Sequence, residues 1–489
     1  MGYYPIKCVH CMSTITMEER CFKIAPEEIK TQGYMQGSDA DIIMDGDIEL
    51  ADAPSRRKKS TKQILYKSLA ELRKENVIEK EETLPVTVSR DIWENPEYRK
   101  ELVNSVVVRD LDVNGKKMSG VMRKFYCPHC HEAIIPLAGK LPMYLISLMG
   151  PSSAGKTVYL TILHMLLSGK RYPLPQGFLT FEHLGAVGQE FESFASVIRT
   201  QNTLPATTTE LQKEPYLLRV SYAADENSTV VNKQCLLGLI DMRGEMLSVQ
   251  QEDKLMDNNV PQFKEADGFI MMVDPETLEG VYNRLPEQYF GGRNAEGLRR
   301  SLSSMREAIM DCITAQIGCI NKPSVVALAK QDILRRNYAQ LGIPMNQPTI
   351  APNFRPQKGI NYYEKYYGPM NMSTRNCITY LSNSFTTFLD TTFKDPYYVS
   401  LSALGSEVQI RGNRIDNWMK IRPLRVEEPL IWLLMDLHVI PPFYAPTYLG
   451  NEFQAMEAWG TGFAENWYSA MQPQEPENNT GKKKKGLFR

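Results

Sequence analysis

Residues 150–157 have the types and spacing of a phosphate-binding loop. They read GPSSAGKT and fit the pattern G-x-x-x-x-G-K-[S/T]. Glycines let such a loop curl until its N–H groups face the phosphates, and a following helix adds the positive end of its dipole. Lys156 would supply charge to the terminal phosphates, and the hydroxyl of Thr157 would ligate Mg²⁺. The candidate binding residues of this loop are Gly150, Ser153, Ala154, Gly155, Lys156 and Thr157.

The segments around this loop favour a binding site over a chance glycine-rich turn. Residues 143–149 form a short apolar run, which is typical of a buried strand, and residues 157–167 form an apolar helix. Longer segments of mixed polarity separate most of the later apolar runs, and one of them, 298–320, predicts a helix. This alternation predicts an α/β fold, with a mostly parallel sheet and helices on both faces. The later runs lie at 216–222, 236–240, 268–273, 324–329 and 397–401.

Two segments after the loop have residues suited to Mg²⁺ and the γ-phosphate. Asp241 follows an apolar run, so it is expected at the carboxyl end of a strand, where it can hold the Mg²⁺ shell. The backbone N–H of Gly244 can meet the γ-phosphate, and Glu245 can orient a water molecule, although its charge disfavours fast hydrolysis. Arg243 is a candidate for charge stabilisation or an ordinary surface arginine. Thr207, in a polar loop, is either a mobile Mg²⁺ contact or a plain surface residue.

Two further strand ends have residues suited to a purine base. The carboxylate of Asp332 can accept two hydrogen bonds from the edge of guanine, and adenine offers no such pair. The aliphatic stem of Lys330 can cover the face of the base. The backbone at Ser402 and Ala403 can contact the guanine O6. Each pattern alone also fits an ordinary turn, and their order along the chain favours a site for GTP or GDP with Mg²⁺.

Together these motifs resemble those of the P-loop GTPase superfamily, in the order GPSSAGKT, a threonine-bearing segment, DMRGE, AKQD and SAL. The phrases GKTVYLT, LIDMRGE, ADGFIMMVD, VVALAKQDIL and RPLRVEEPLIWLL are similar to the bacterial double-GTPase type. That resemblance covers about residues 127–435. It implies an N-terminal zinc ribbon, a role in GTPase-centred defence systems, and effector proteins encoded with this chain. The sequence departs from the superfamily at Ala329, where Asn or Thr is usual.

Two Cys-x-x-Cys pairs precede the phosphate-binding loop. Cys8 and Cys11 form the first pair, and Cys127 and Cys130 form the second. Four thiolates suit tetrahedral Zn²⁺, and this spacing in a chain of nine cysteines indicates a metal site in a reducing compartment. Such a site either pins the N-terminus to the next domain or takes part in recognition. Substitute or spare ligands are His10, His129, His131 and Cys21.

The sequence predicts three regions. Residues 1–142 form a zinc-ribbon module with an insertion at 12–126, and residues 143–471 form a GTPase domain with an insertion at about 335–395. Residues 472–489 form a disordered basic tail that ends in KKKKGLFR.

The 12–126 insertion has its own predicted features. A helix is expected from about Ser60, with Leu65, Leu69 and Leu72 on one face, and charged irregular sequence is expected up to about Lys117.

Composition limits the classes of function. The formal net charge of −1 gives no support for a generally nucleic-acid-binding chain, so a nucleic-acid partner is not favoured. No signal peptide and no apolar run of spanning length is visible, which predicts a cytoplasmic location. An oligomer is compatible with the sequence. The leading prediction is a slowly hydrolysing GTP-binding switch; the alternatives are a P-loop ATPase and a zinc-containing scaffold that binds nucleotide without turnover.

Overall fold

The structure is a computed structural model of the 489-residue chain. It describes residues 4–24, 65–84, 102–113, 116–122, 124–135, 137–168, 171–174, 177–205, 215–224, 233–241, 264–290, 293–314, 319–351, 354, 366–405 and 408–441.

Short antiparallel sheets make up the N-terminal part of the chain. β1 pairs with β2, β3 pairs with β4, and β5, β6 and β7 form a meander, with these bounds: β1 Ile6–Lys7, β2 Thr14–Ile15, β3 Cys21–Ile24, β4 Leu65–Ser68, α1 Leu69–Lys74, β5 Ile78–Leu84, β6 Leu102–Val113 and β7 Lys116–Met122. The predicted start of the helix, at about Ser60, is therefore wrong, because Leu65–Ser68 is a strand. The helix begins at Leu69, where Ser68 and Glu71 form a reciprocal capping box. The irregular sequence predicted up to Lys117 is also wrong where β5 and β6 lie.

An eight-stranded mixed sheet forms the centre of the molecule. Its order is β15-β14-β13-β8-β12-β11-β10-β9, with these bounds: β8 Met143–Met149, β9 Arg171–Pro173, β10 Phe178–Leu184, β11 Tyr216–Ala223, β12 Lys233–Asp241, β13 Gly268–Val273, β14 Ser324–Leu328 and β15 Tyr397–Ser400. The five strands from β15 to β12 are parallel, and β11, β10 and β9 continue antiparallel. The predicted parallel sheet is confirmed for those five strands. β9 and β10 were not predicted.

Helices cover both faces of this sheet. Their bounds are α2 Lys156–Leu167, α3 Ala186–Gln201, α4 Glu279–Tyr282, α5 Ala295–Thr314, α6 Gln331–Arg336, α7 Tyr338–Leu341, α8 Gly368–Leu381, α9 Asn383–Thr392 and α10 Glu428–Asp436, and a hairpin of β16 Ile410–Arg411 and β17 Arg414–Ile415 precedes α10. Alternate side chains of β8 enter two cores. Ile146 and Leu148 pack with α2, α3 and α10, whereas Leu145 and Met149 pack with α5, α8 and α9.

The parallel strands end at one edge of the sheet. Asp241 of β12 lies beside Leu148 of β8, and Leu328 of β14 lies between Val273 of β13 and Ser400 of β15. The segments that follow these strands are therefore neighbours. Across the described residues, no helix is long and apolar enough to cross a membrane.

Candidate nucleotide site

The phosphate-binding loop joins β8 to α2 through a short 3₁₀ turn, Ser152–Ala154. Gly155 caps α2 in the left-handed region, with φ +78°, where an L-residue is strained. Gly150 has φ +152°, and a Cβ added there would lie 2.6 Å from the carbonyl oxygen of Met272. Both glycines in the pattern are thus required by backbone geometry. The loop ends at the N-terminus of a 12-residue helix, which favours anion binding.

Lys156 is buried and points back into this loop. Its Nζ donates a hydrogen bond to the carbonyl oxygen of Gly150 at 2.9 Å, and lies 3.9 Å from Oδ1 of Asp241. The structure therefore brings the loop lysine and the aspartate predicted for Mg²⁺ together. Thr157 lies half-buried in the first turn of the helix, beside Lys156.

Asp332 and Ser402, predicted for the base, are in direct contact. The hydroxyl of Ser402 donates to Oδ1 of Asp332 at 2.6 Å and accepts a hydrogen bond from the N–H of Gly405 at 2.9 Å. The other carboxylate oxygen of Asp332 accepts from Arg336 at 3.0 Å. Ala403 lies half-buried in the same loop. The two base motifs, 70 residues apart in sequence, thus form one unit.

Lys330 is held by two carboxylates that the sequence reasoning missed. Its Nζ lies 2.9 Å from Oδ2 of Asp274 and 2.7 Å from Oε2 of Glu276, just after β13. Arg293 completes the cluster, with an ion pair to Glu276 and a 3.6 Å approach to Asp274. Both carboxylates are buried. The available signal was an aspartate directly after the apolar run 268–273, the same pattern that identified Asp241.

The Lys330 cluster follows β13, the strand that packs against Gly150 of the phosphate-binding loop. Burial opposes ionisation of Asp274, but the Lys330 ammonium and the Arg293 guanidinium together lower its pKa below the ordinary value. The ion pair with Asp274 therefore holds Lys330 beside the end of β13.

Four predicted residues lie outside the described part of the chain. They are Thr207, Arg243, Gly244 and Glu245, the residues predicted for the γ-phosphate and for hydrolysis. The described residues fit a nucleotide at the remaining positions, because the loop has a glycine cradle, a lysine and a helix N-terminus at one end. At the other end the Asp332–Ser402 pair offers a carboxylate that can accept hydrogen bonds from a base.

Comparison with known proteins agrees with this geometry. Residues 144–317 match the family model described as Double-GTPase 2. The match covers about a third of the chain, and within it this segment is similar to the double-GTPase type.

Two solved structures share low overall similarity with the chain. The crystal structure of sup35 complexed with GDP is 13% identical, with a TM-score of 0.18, over 54% of this chain and 38% of that chain. The signal recognition particle receptor SRb-GTP/SRX complex from Chaetomium thermophilum is 16% identical, with a TM-score of 0.21, over 54% of this chain and 92% of that chain. No curated protein matches the chain.

The four predicted metal-binding cysteines form one cluster. The Sγ atoms of Cys8 and Cys130 lie 3.5 Å apart, those of Cys11 and Cys127 lie 3.7 Å apart, and all four lie within 4.8 Å of one another. Zn–S bonds of about 2.3 Å in a tetrahedron place sulfur atoms about 3.8 Å apart, so the cluster fits Zn²⁺. Burial opposes ionisation of Cys127, but hydrogen bonds from Ser13 and the local backbone lower its pKa to about 7.

The cysteine cluster contacts the amino-terminal edge of the sheet, opposite the nucleotide edge. Val9 and Met12, in and next to the first Cys-x-x-Cys turn, pack in the same core as Leu145. The Nζ of Lys7 lies 2.6 Å from Oδ1 of Asp267, whose Oδ2 accepts the N–H of Leu145 at 2.7 Å. The cluster is therefore attached to the strand that leads to the phosphate-binding loop.

Proposed function

We propose that this chain is a guanine-nucleotide-dependent switch that binds GTP and GDP with Mg²⁺ and hydrolyses GTP slowly on its own. The proposal rests mainly on two pairings at one edge of the sheet, that of Lys156 with Asp241 and that of Asp332 with Ser402. Phosphate-binding and base-binding groups at one edge suit a single nucleotide that spans them.

Each residue has a distinct part in this proposal. The backbone N–H groups of residues 150–157 and the ammonium of Lys156 hold the phosphates. Thr157 and Asp241 hold the Mg²⁺ shell, which supplies charge neutralisation on the phosphates. Asp332 accepts hydrogen bonds from the guanine edge, the stem of Lys330 covers the base, and the loop at 402–403 meets its O6.

Hydrolysis is proposed to be slow because the residue after Gly244 is Glu245. A carboxylate can orient water, yet its charge opposes the charge that develops on the γ-phosphate. Arg243 is the nearest sequence candidate for offsetting that charge, and Thr207 for sensing the γ-phosphate. More than one GTP turnover per second by the purified chain alone would contradict this part of the proposal.

A defence role is proposed only on the resemblance to double GTPases of conflict systems. In such a role, segments near the γ-phosphate would change contacts with an effector protein when GTP is replaced by GDP. Co-purification of a neighbouring gene product that depends on the bound nucleotide would test this role.

Nucleotide competition on the purified chain with Mg²⁺ tests the core of the proposal. A fluorescent GDP analogue is displaced by GTP, ATP or XTP, and GTP is expected to bind at least about a hundredfold more tightly than ATP. Asp332→Asn should weaken GTP and improve XTP, because xanthine offers an acceptor where guanine has its amino group. Asp395→Asn, an exposed change at the opposite end of β15, is the matched control.

Two results would reject the guanine assignment. One is an ATP affinity equal to that for GTP in the wild type. The other is an unchanged GTP-to-XTP ratio in Asp332→Asn. Binding without phosphate release, in the wild type and in Lys156→Ala alike, would favour a nucleotide-binding scaffold.

A further inference from the structure

Residues 421–428 read IRPLRVEE and belong to a phrase that the proposed site leaves without a role. This segment runs directly behind residues 402–405, the loop that follows β15 and carries Ser402. It leads into α10, whose first turn has a proline. Its position raises the question of what holds the base loop in place.

Backbone hydrogen bonds join the two segments. The N–H of Ser402 donates to the carbonyl oxygen of Leu424 at 3.0 Å, and the N–H of Leu424 donates back at 2.9 Å. The N–H of Arg422 donates to the carbonyl oxygen of Leu404 at 2.9 Å. Gly405 has φ +82°, and a Cβ added there would lie 2.5 Å from the carbonyl oxygen of Arg422. The backbones of the two segments are therefore in direct contact, with no room for a side chain at Gly405.

Arg425 anchors this contact from inside the protein. It is 5% exposed and adopts φ +57°, in the left-handed region. Its Nη1 donates to the carbonyl and hydroxyl oxygens of Ser400 at 3.2 and 3.1 Å. Its Nη2 donates to the carbonyl oxygens of Pro348, Ala351 and Phe354 at 3.3, 3.0 and 3.1 Å. One guanidinium therefore joins the end of β15 to the segment after α7.

These acceptors indicate a geometric role for Arg425. Its five hydrogen bonds all go to carbonyl or hydroxyl oxygens. Glu428 lies one helical turn further on. Burial raises the pKa of its carboxyl group to about 8, although the charge of Arg425 acts to lower that pKa. A planar fork can reach two segments at once, whereas the ammonium of a lysine is a single point charge.

We infer that Arg425 is a positioning residue for the guanine loop. Through Ser400 and the paired Leu424 it sets where Ser402 meets Asp332, without touching the nucleotide itself. This inference rests on the proposed function, because it assigns Arg425 to the base end of the same site. Loss of the guanidinium should weaken contacts to the base and spare contacts to the phosphates.

The test uses two probes on the full-length chain with Mg²⁺. GDP engages both ends of the site, whereas inorganic tripolyphosphate engages only the phosphate-binding loop. In Arg425→Lys and Arg425→Gly, the Kd for GDP should rise about ten- to a hundredfold, since a misplacement of about 1 Å costs that much at a polar site. The Kd for tripolyphosphate should change less than about twofold. Glycine keeps the left-handed backbone unstrained, so that variant isolates the side chain.

Gly405→Ala tests the same contact from the other side. It should reproduce the selective loss of GDP affinity, because its Cβ would push the loop away from Arg422. The Arg425 anchor is intact in this variant, so it still tests the contact if the Arg425 variants do not fold. Arg411→Gln, an exposed change in the β16–β17 hairpin, is the control and should alter neither Kd.

Three outcomes would overturn the inference. They are an unchanged GDP affinity in all three variants, an equal loss for both probes, and a GDP loss in the Arg411 control as large as in the Arg425 variants. A wild type that binds tripolyphosphate but binds GDP and ADP equally well would instead overturn the proposed guanine site. Failure of the inference and failure of the proposed function are therefore distinguishable.

Discussion

Asp274 is a charged side chain with 0% exposure, and its partners explain how the fold tolerates it. Two carboxylates and two basic groups form the cluster of Asp274, Glu276, Lys330 and Arg293, so the formal charges cancel. Burying a charge without such partners is costly, and removing one partner leaves the others uncompensated. The cluster thus stabilises the domain and also fixes Lys330 at the base end of the site.

Asp274→Asn should destabilise the protein by about 3 kcal/mol, because it leaves two partly exposed cations, screened by water, facing one buried carboxylate. Urea unfolding followed by circular dichroism measures this change. Glu296→Gln, in the exposed pair with Arg300 on α5, should change the free energy of unfolding by less than about 1 kcal/mol. Equal effects of the two substitutions would contradict the role given to the cluster.

At the scale of elements, a polar network ties α2 to the antiparallel half of the sheet. The hydroxyl of Tyr216 on β11 lies 2.9 Å from Nδ1 of His164 on α2 and 2.5 Å from Nδ1 of His183 on β10. Ser168, at the end of α2, lies 2.6 Å from Nε2 of His183. Glu192 of α3 contacts the outer nitrogen of His164 at 2.9 Å. Four elements therefore share one network.

Acid should loosen this network. Burial lowers the pKa of both histidines, and that of His183 falls from 6.5 to about 4. The unfolded chain then takes up a proton before the folded chain does, so the stabilisation is fully present above pH 6.5 and is lost progressively as pH falls toward 4. Urea midpoints at pH 7.5 and 5.0 measure this slope.

Substitutions separate His183 from the other groups that titrate. His183→Asn should flatten the slope between those two pH values, whereas His438→Asn, at an exposed position with φ +57°, should keep it. A slope that survives unchanged in His183→Asn would assign the acid sensitivity to other groups.

The sequence predicted the parallel strands of the central sheet well, but it predicted strands of the N-terminal part, such as β4 and β5, poorly. Runs such as 268–273 are buried on both faces, so every residue is apolar and the signal is strong. In β5, IEKEETL, charged residues interrupt the pattern, and the strand exists because it pairs with β6. The strand at Leu65–Ser68 likewise depends on β3, more than 40 residues away in sequence. Local patterns do not encode such long-range partners.

The same contrast holds within the site. Asp332 and Ser402 follow strands of strong apolar character, so their meeting at one edge was predictable. The ion pairs of Lys330 with Asp274 and Glu276 depend on the directions in which the side chains point. The spacing of residues in the sequence does not specify those directions. Thr207, Arg243, Gly244 and Glu245 stay predictions, because they lie outside the described residues.

At the scale of the whole molecule, the cysteine cluster and the nucleotide site lie at opposite ends of the central strands. Lys7 and Asp267 join the cluster's first strand to the start of β13. Metal loss should therefore affect the N-terminal module first. The cluster's effect on the nucleotide site should be weaker, since the sheet has its own cores on both faces.

Zinc analysis and chelation test this arrangement. Elemental analysis should find about one zinc per chain, and a strong chelator or Cys127→Ser should lower the Tm while the Kd for GDP changes less than about threefold. Cys319→Ser, an exposed cysteine outside the cluster, should leave both values unchanged. Protein purified without any metal, or a GDP site lost together with the zinc, would contradict this picture.

β8 connects these two ends without a break. It starts at Met143, in the core shared with Val9 of the cysteine turn, and stops at Met149, next to the phosphate-binding loop. Seven residues at about 3.3 Å each give this strand a length of about 23 Å. A regular strand packed on both faces keeps this separation constant, so the phosphate-binding loop stays in place when the cysteine cluster loses its metal.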